Sequence, residues 1–143
     1  MTALELLNSQ FKDAGTQLDN LFKGIATASL DHKTEPDGMS PREQIAHLGE
    51  AYSAVLAHER GAKYEWGSYT PKSTEMPALW DEIKALRAQA TGEILKSGTD
   101  ESLRYGADYI VAHDNYHIGR MVPARLACEP GWEPYSIYEG VSA

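Results

Sequence analysis

A single cysteine, Cys128, is all the thiol this chain of 143 residues carries, so no intrachain disulfide can form. That usage fits a reducing cytoplasm. Positive charge is also scarce: 13 lysines and arginines stand against 21 acidic side chains, for a net charge of −8. Such a surface repels phosphate backbones and argues against DNA or RNA as a partner, because nucleic-acid affinity is mostly electrostatic. No apolar run approaches the ~20 residues of a membrane helix. The opening MTALELLNSQ has no basic stretch followed by an apolar block, so no secretion signal is expected. Missing too are internal repeats, a P-loop, a dinucleotide fingerprint, Gly-x-Ser-x-Gly, HExxH and any cysteine-based metal motif. What is present is a hydrophobic share of 42%, enough to build one core, and residues 1–143 are expected to form one domain.

The apolar spacing is helical throughout. Thr2-Ala-Leu-Glu5 is a capping-box pattern, and Leu4, Leu7, Phe11, Ala14, Leu18, Leu21, Phe22 and Ile25 follow it at helical intervals. They predict an amphipathic helix over 3–28. Residues 30–40 hold Pro36 and Gly38 and read as loop, with His32 a solvated loop residue. Ser40-Pro41-Arg-Glu43 is a second capping box with proline at the first helical position, and that helix should end at Arg60, before Gly61. Its stripe is Ile45, Leu48, Tyr52, Val55 and Leu56, with Glu59 on the same face near the end, meeting a basic partner or solvent. Residues 61–76 lack a period and read as a long crossover anchored by Tyr64, Trp66 and Tyr69, long enough to start the next helix in parallel. A third helix is predicted over 77–96, with Leu79, Ile83, Leu86, Ala90 and Ile94 inside and Gly98 as its stop. A fourth spans 101–128, bent beyond residue 119 by Pro123. Residues 129–143 form an irregular tail whose Trp132, Tyr135 and Tyr138 pack on the bundle or on a second subunit.

The fourth helix carries the chemistry. His113 and His117 lie four apart, on the side of the helical wheel that holds Leu103, Gly106, Ile110 and Met121. Imidazoles in an apolar stripe must satisfy their ring nitrogens, and a divalent metal answers that need, as buried carboxylates would. A chelating pair needs a third ligand. His47, beside Gln44 on the flank of the second helix's stripe, suits a ligand at the bundle's edge and suits an ordinary surface histidine too. His58 lies three turns further along, about 16 Å away, too far to share the ion and read as a surface residue. Asp114, at the edge of the histidine stripe, either receives an imidazole N–H or pairs with a lysine or arginine. Gln44, Glu50, Asp114 and Arg120 are the candidates for supporting ligands or touching substrate. Glu50 and Asp114 are the nearby carboxylates, and neither has a spacing that marks it as a general base.

The order of four long helices, with His47-Leu48 early in the second and His113-x-x-x-His117-x-Gly119 in the fourth, resembles the DinB/YfiT-like superfamily over about residues 3–127. This is the damage-inducible family of bacterial metal-binding bundles, not the error-prone DNA polymerase that shares the name. The resemblance implies an all-α four-helix bundle with up-down-down-up topology and a long crossover between helices 2 and 3. It implies zinc or nickel held by His47, His113 and His117, and a homodimer. Many members have glutamine where this chain has Arg120, a residue able to hold a substrate anion or to face outward against an acid. Three neutral imidazoles leave coordination positions open, as in catalytic zinc sites. Relatives include thiol-dependent S-transferases and a thiol-dependent isomerase, so the resemblance implies a metal-dependent thiol transferase acting on a small molecule, with a low-molecular-weight thiol as co-substrate. The alternatives are a metal-dependent hydrolase, a non-catalytic metal- or small-molecule-binding stress-response dimer, and a helical module whose histidines are core residues.

Overall fold

Two capping boxes start two of the long helices in the computed structural model, which describes residues 1–142. The Thr2 hydroxyl accepts the Glu5 N–H at 3.1 Å and the Glu5 carboxylate accepts the Thr2 N–H at 2.9 Å, opening α1 (Ala3–Phe22). Ser40 and Glu43 do the same for α3 (Pro41–Glu59). Between them lies α2 (Thr27–Leu30), a single turn. The predicted first helix therefore ends earlier than residue 28. Lys23 leaves the helical region and Gly24 takes a φ of +66°, which breaks the ladder, while Ile25 still packs against the core and keeps the apolar period running past the break. The Glu129 carboxylate then accepts the Ala26 N–H at 3.1 Å and the Ser29 hydroxyl at 2.6 Å.

Helix α4 (Ala78–Ser97) stops at Gly98, whose φ of +63° closes it. The last long segment is divided: α5 (Asp100–Gly106), a π-helical stretch over Ala107–Ala112, and α6 (His113–Cys128) follow one another without a turn between. Thr99 caps its start by accepting the Ser102 N–H. The sequence predicts one uninterrupted helix here; no residue type announces the wider π turns, which occur often at functional sites. Pro123 sits within α6, and the helix continues past it to Cys128.

Side chains from all the long segments share one core, which includes Leu18, Leu21, Ile45, Leu48, Tyr52, Ile83, Ile94, Ile110 and Met121. The fold is all-α, without strands among the described residues. Contacts between α3 and α4 advance in step. Arg42 meets Glu75 at their beginnings, Gly49 approaches Ile83, and Arg60 meets Glu93 towards their ends. A Cβ on Gly49 would lie 2.6 Å from both Ile83 Cδ1 and Tyr69 Cε1, so glycine permits this approach. Along the 61–76 connection Tyr69 packs against the core and Tyr64 is half-buried, whereas Trp66 stands 61% exposed and is not the anchor its type suggested. Glu59 meets a histidine as its basic partner, lying 3.0 Å from His58 Nδ1, and it also accepts the Ser102 hydroxyl at 2.6 Å.

In the tail, Trp132 packs on the core beneath the Arg125 guanidinium, 4.5 Å from its ring centre, and Ile137 is buried in a short 3-10 turn over Pro134–Tyr138. Tyr135 and Tyr138 are exposed. Asn20 holds the tail by donating to the carbonyls of Ile137 and Glu139 at 2.9 and 2.8 Å. No helix among the described residues is long and apolar enough to cross a membrane.

Candidate metal centre

His47 sits two turns into α3, placed by the Ser40 cap. His113 opens α6 immediately after the π-helical stretch, and His117 lies one turn on. The fold turns all three rings to one point. His113 Nε2 is 3.2 Å from His47 Nε2 and 3.2 Å from His117 Nε2. One ligand nitrogen from each residue lies within 4.8 Å of the other two. Three nitrogens held at ~2.05 Å around a tetrahedral cation would be separated by about 3.3 Å, so two of these spacings already match.

Proton counting makes the same point. Gln44 is buried and its amide donates to the Met39 carbonyl at 3.1 Å, which leaves Gln44 Oε1 facing His117 Nδ1 at 2.8 Å. An amide oxygen only accepts, so His117 carries its proton on Nδ1 and presents a lone pair at Nε2. His113 has one proton to share with two neighbouring Nε2 atoms if it points that way, and its Nδ1 is buried without a partner. The three Nε2 atoms cannot all be satisfied by one another; a divalent cation accepting their lone pairs would satisfy them, with the His113 proton then on Nδ1. Neutral nitrogen donors suit zinc and nickel. The donor set therefore fits the metal.

Burial, followed by repulsion from His47, lowers the His113 pKa to about 4. Burial lowers His117 to about 3, with His113, His47 and Arg120 contributing after it. Both rings are thus neutral and able to donate a lone pair at physiological pH. His117 is buried, whereas His47 and His113 are half-buried.

The other candidates divide. Gln44 is the group that orients a ring. Asp114 is not: its carboxylate accepts the Tyr52 hydroxyl at 2.5 Å and pairs with Arg87 Nε at 2.9 Å, fully buried and turned away from the imidazoles. The helical wheel places Asp114 at the edge of the histidine stripe without revealing that an arginine waits on the inner face of α4. Arg87 and Tyr52 are the participants sequence reasoning passed over as a pair. The signal was available, because Arg87 continues the Leu79–Ile83 spacing towards Ala90 and Ile94. Glu50 accepts the Gly67 N–H at 3.0 Å and braces the connection rather than the imidazoles. Arg120, one turn beyond His117, donates to the Tyr116 hydroxyl at 3.2 Å and meets Glu35 at 3.8 Å. Tyr116 in turn stands edge-on to the His117 ring at 5.0 Å. His32 and His58 lie outside the cluster.

The model of a family described as the DinB superfamily matches residues 10–121, a span that contains all three imidazoles. No curated protein and no solved structure matches the chain.

Proposed function

The chain belongs to the DinB superfamily, and from that premise we propose that it holds a divalent metal, zinc or nickel, on His47, His113 and His117 and serves as a metal-dependent thiol S-transferase. The observation that carries the reading is the convergence of three Nε2 atoms, one of them fixed as a lone-pair donor by Gln44. When bound, the cation supplies Lewis acidity that lowers the pKa of a thiol or water brought to it.

The surrounding carboxylates favour thiol over water as the nucleophile. Asp114 is committed to Tyr52 and Arg87, and Glu50 to the Gly67 amide, so neither is free to act as a general base on water. Thiol transfer asks less of the chain. The S–H proton goes to solvent, a sulfur–carbon bond forms, and the leaving group departs with its bonding pair. Arg120 would orient an anionic substrate by exchanging its exposed partner Glu35, an ion pair of the kind worth only ~0–1 kcal/mol. The helices run up-down-down-up in this reading. The stepwise contacts of α3 with α4 support it, as do those of α1 with α4, where Asp19 meets Lys84 and the Phe11 carbonyl meets Arg87. A cytoplasmic homodimer completes the proposal, supported by the reduced Cys128 and the exposed rings of Tyr135 and Tyr138.

Metal-loaded protein should conjugate low-molecular-weight thiols to an alkyl halide with saturable, metal-dependent rates that His113→Ala removes. Absence of metal-dependent turnover across thiols and electrophiles would overturn the enzymatic reading and leave a metal-binding protein.

A further inference from the structure

Three turns along α3 from His47, about 16 Å away, a second cluster lines a cavity of about 210 Å³ bounded by Ala54, His58, Ala62, Tyr64, Trp66 and Tyr105. The rings stand in two pairs. Tyr64 and Trp66 meet edge to face, centroids 5.2 Å apart at 86°, and His58 stacks on Tyr105 at 3.8 Å and 4°. Tyr109 extends that second stack at 4.3 Å.

We propose that this cavity is a cage for a quaternary ammonium head group. Aromatic faces carry negative quadrupole charge, and several of them around a small space form a cation site. The surrounding charges have the matching sign. Glu59 and Glu101 lie 3.0 and 3.4 Å from the two nitrogens of His58, and Glu50 holds the amide of Gly67, next to Trp66. Burial raises the Tyr64 phenol and the carboxylate of Glu50 adds to it; burial raises Tyr105, with Tyr109 and Glu59 adding. Burial is the larger cause in each case, and the carboxylates of Glu50 and Glu59 add a smaller negative contribution.

No lysine or arginine lies over these rings among the described residues, and the one basic side chain at the cavity is His58, held between Glu59 and Glu101. The chain's cation–π contacts among the described residues are Arg120 over Tyr116 and Arg125 over Trp132. The volume matches a head group better than a drug-sized ligand, whose pockets run to ~300–1,000 Å³. A primary ammonium would bring three N–H donors that need acceptors, while Glu59 is engaged by Ser102 and His58 and Glu50 by the Gly67 amide. A trimethylammonium brings none. Its polarised methyl groups can make C–H···O contacts, and Tyr64 carries a buried hydroxyl with no hydrogen-bond partner.

Calorimetric titration of the full chain with choline tests the proposal against choline's uncharged carbon analogue, in which tert-butyl replaces trimethylammonium. Choline should bind saturably and at least tenfold more tightly than the analogue. Trp66→Ala should weaken choline at least tenfold while leaving the thermal midpoint unchanged, because that ring is largely exposed. Tyr105→Leu should weaken it similarly. No saturable binding up to about 50 mM, equal binding of the analogue, or undiminished binding by Trp66→Ala would each overturn it.

Discussion

Asp114→Ala strips a fully buried carboxylate from between Arg87 and Tyr52. The substitution leaves a guanidinium whose other bond, to the Phe11 carbonyl at 2.7 Å, holds it in the interior with its charge uncompensated. Breaking one side of a buried pair costs ~3–5 kcal/mol, and orphaning the Tyr52 hydroxyl adds up to ~1–3 kcal/mol where water does not reach it. A loss of about 4–6 kcal/mol follows, which for a chain of this length lowers the thermal midpoint by roughly 12–18 °C. Urea unfolding and calorimetry measure it. Removing both charges in Arg87→Met/Asp114→Leu should recover at least half of the loss, because no lone charge then remains buried. A loss under about 1 kcal/mol in the single variant, or a double variant as unstable as the sum of two single losses, would refute the reasoning. Folded Asp114→Asn should also keep its metal affinity within about threefold, since its carboxylate touches no imidazole.

Metal-free protein should lose stability on acidification. His113 and His117 have folded pKa values of about 4 and about 3, below the ordinary 6.5, so the unfolded chain takes up protons first. Their contribution is present above pH 6.5 and is lost as pH falls towards those values, by about 2–4 kcal/mol between pH 7 and 5. Calorimetry across pH checks the slope, and the His113→Ala/His117→Ala variant should flatten it. Gln44→Leu should weaken metal binding ~10–100-fold by releasing the His117 tautomer, and Gln44→Glu should restore most of it; competition with a chromogenic chelator reads both. Gly49→Ala should cost ~1–3 kcal/mol in urea unfolding, because its Cβ meets Ile83 and Tyr69 at 2.6 Å.

Local signals were the legible ones. The two capping boxes and Gly98 sit where backbone donors and handedness demand those residue types, and the helix ends at 3, 41 and 97 follow directly from them. The fourfold spacing of His113 and His117 is a property of any helix, so their shared face was readable too. Less legible was anything set by a distant partner. Helix α1 ends at Phe22 although Ile25 continues its pattern: Gly24, at a φ of +66°, is a local stop that the apolar period overrode, and Glu129, more than a hundred residues on, holds the turn that follows. Asp114 offered two readings, and only packing against α4 chose Arg87 over the imidazoles. His47 was likewise ambiguous on its own helix; its meaning came from the ring that α6 brings to 3.2 Å. The widened turns at 107–112 left no mark in residue type.

Elemental analysis of untagged protein, beside a folded His113→Ala/His117→Ala variant, tests the tri-imidazole centre most directly. One divalent ion per chain in the parent and background levels in the variant are the predicted result. Equal metal content in the two proteins would contradict it.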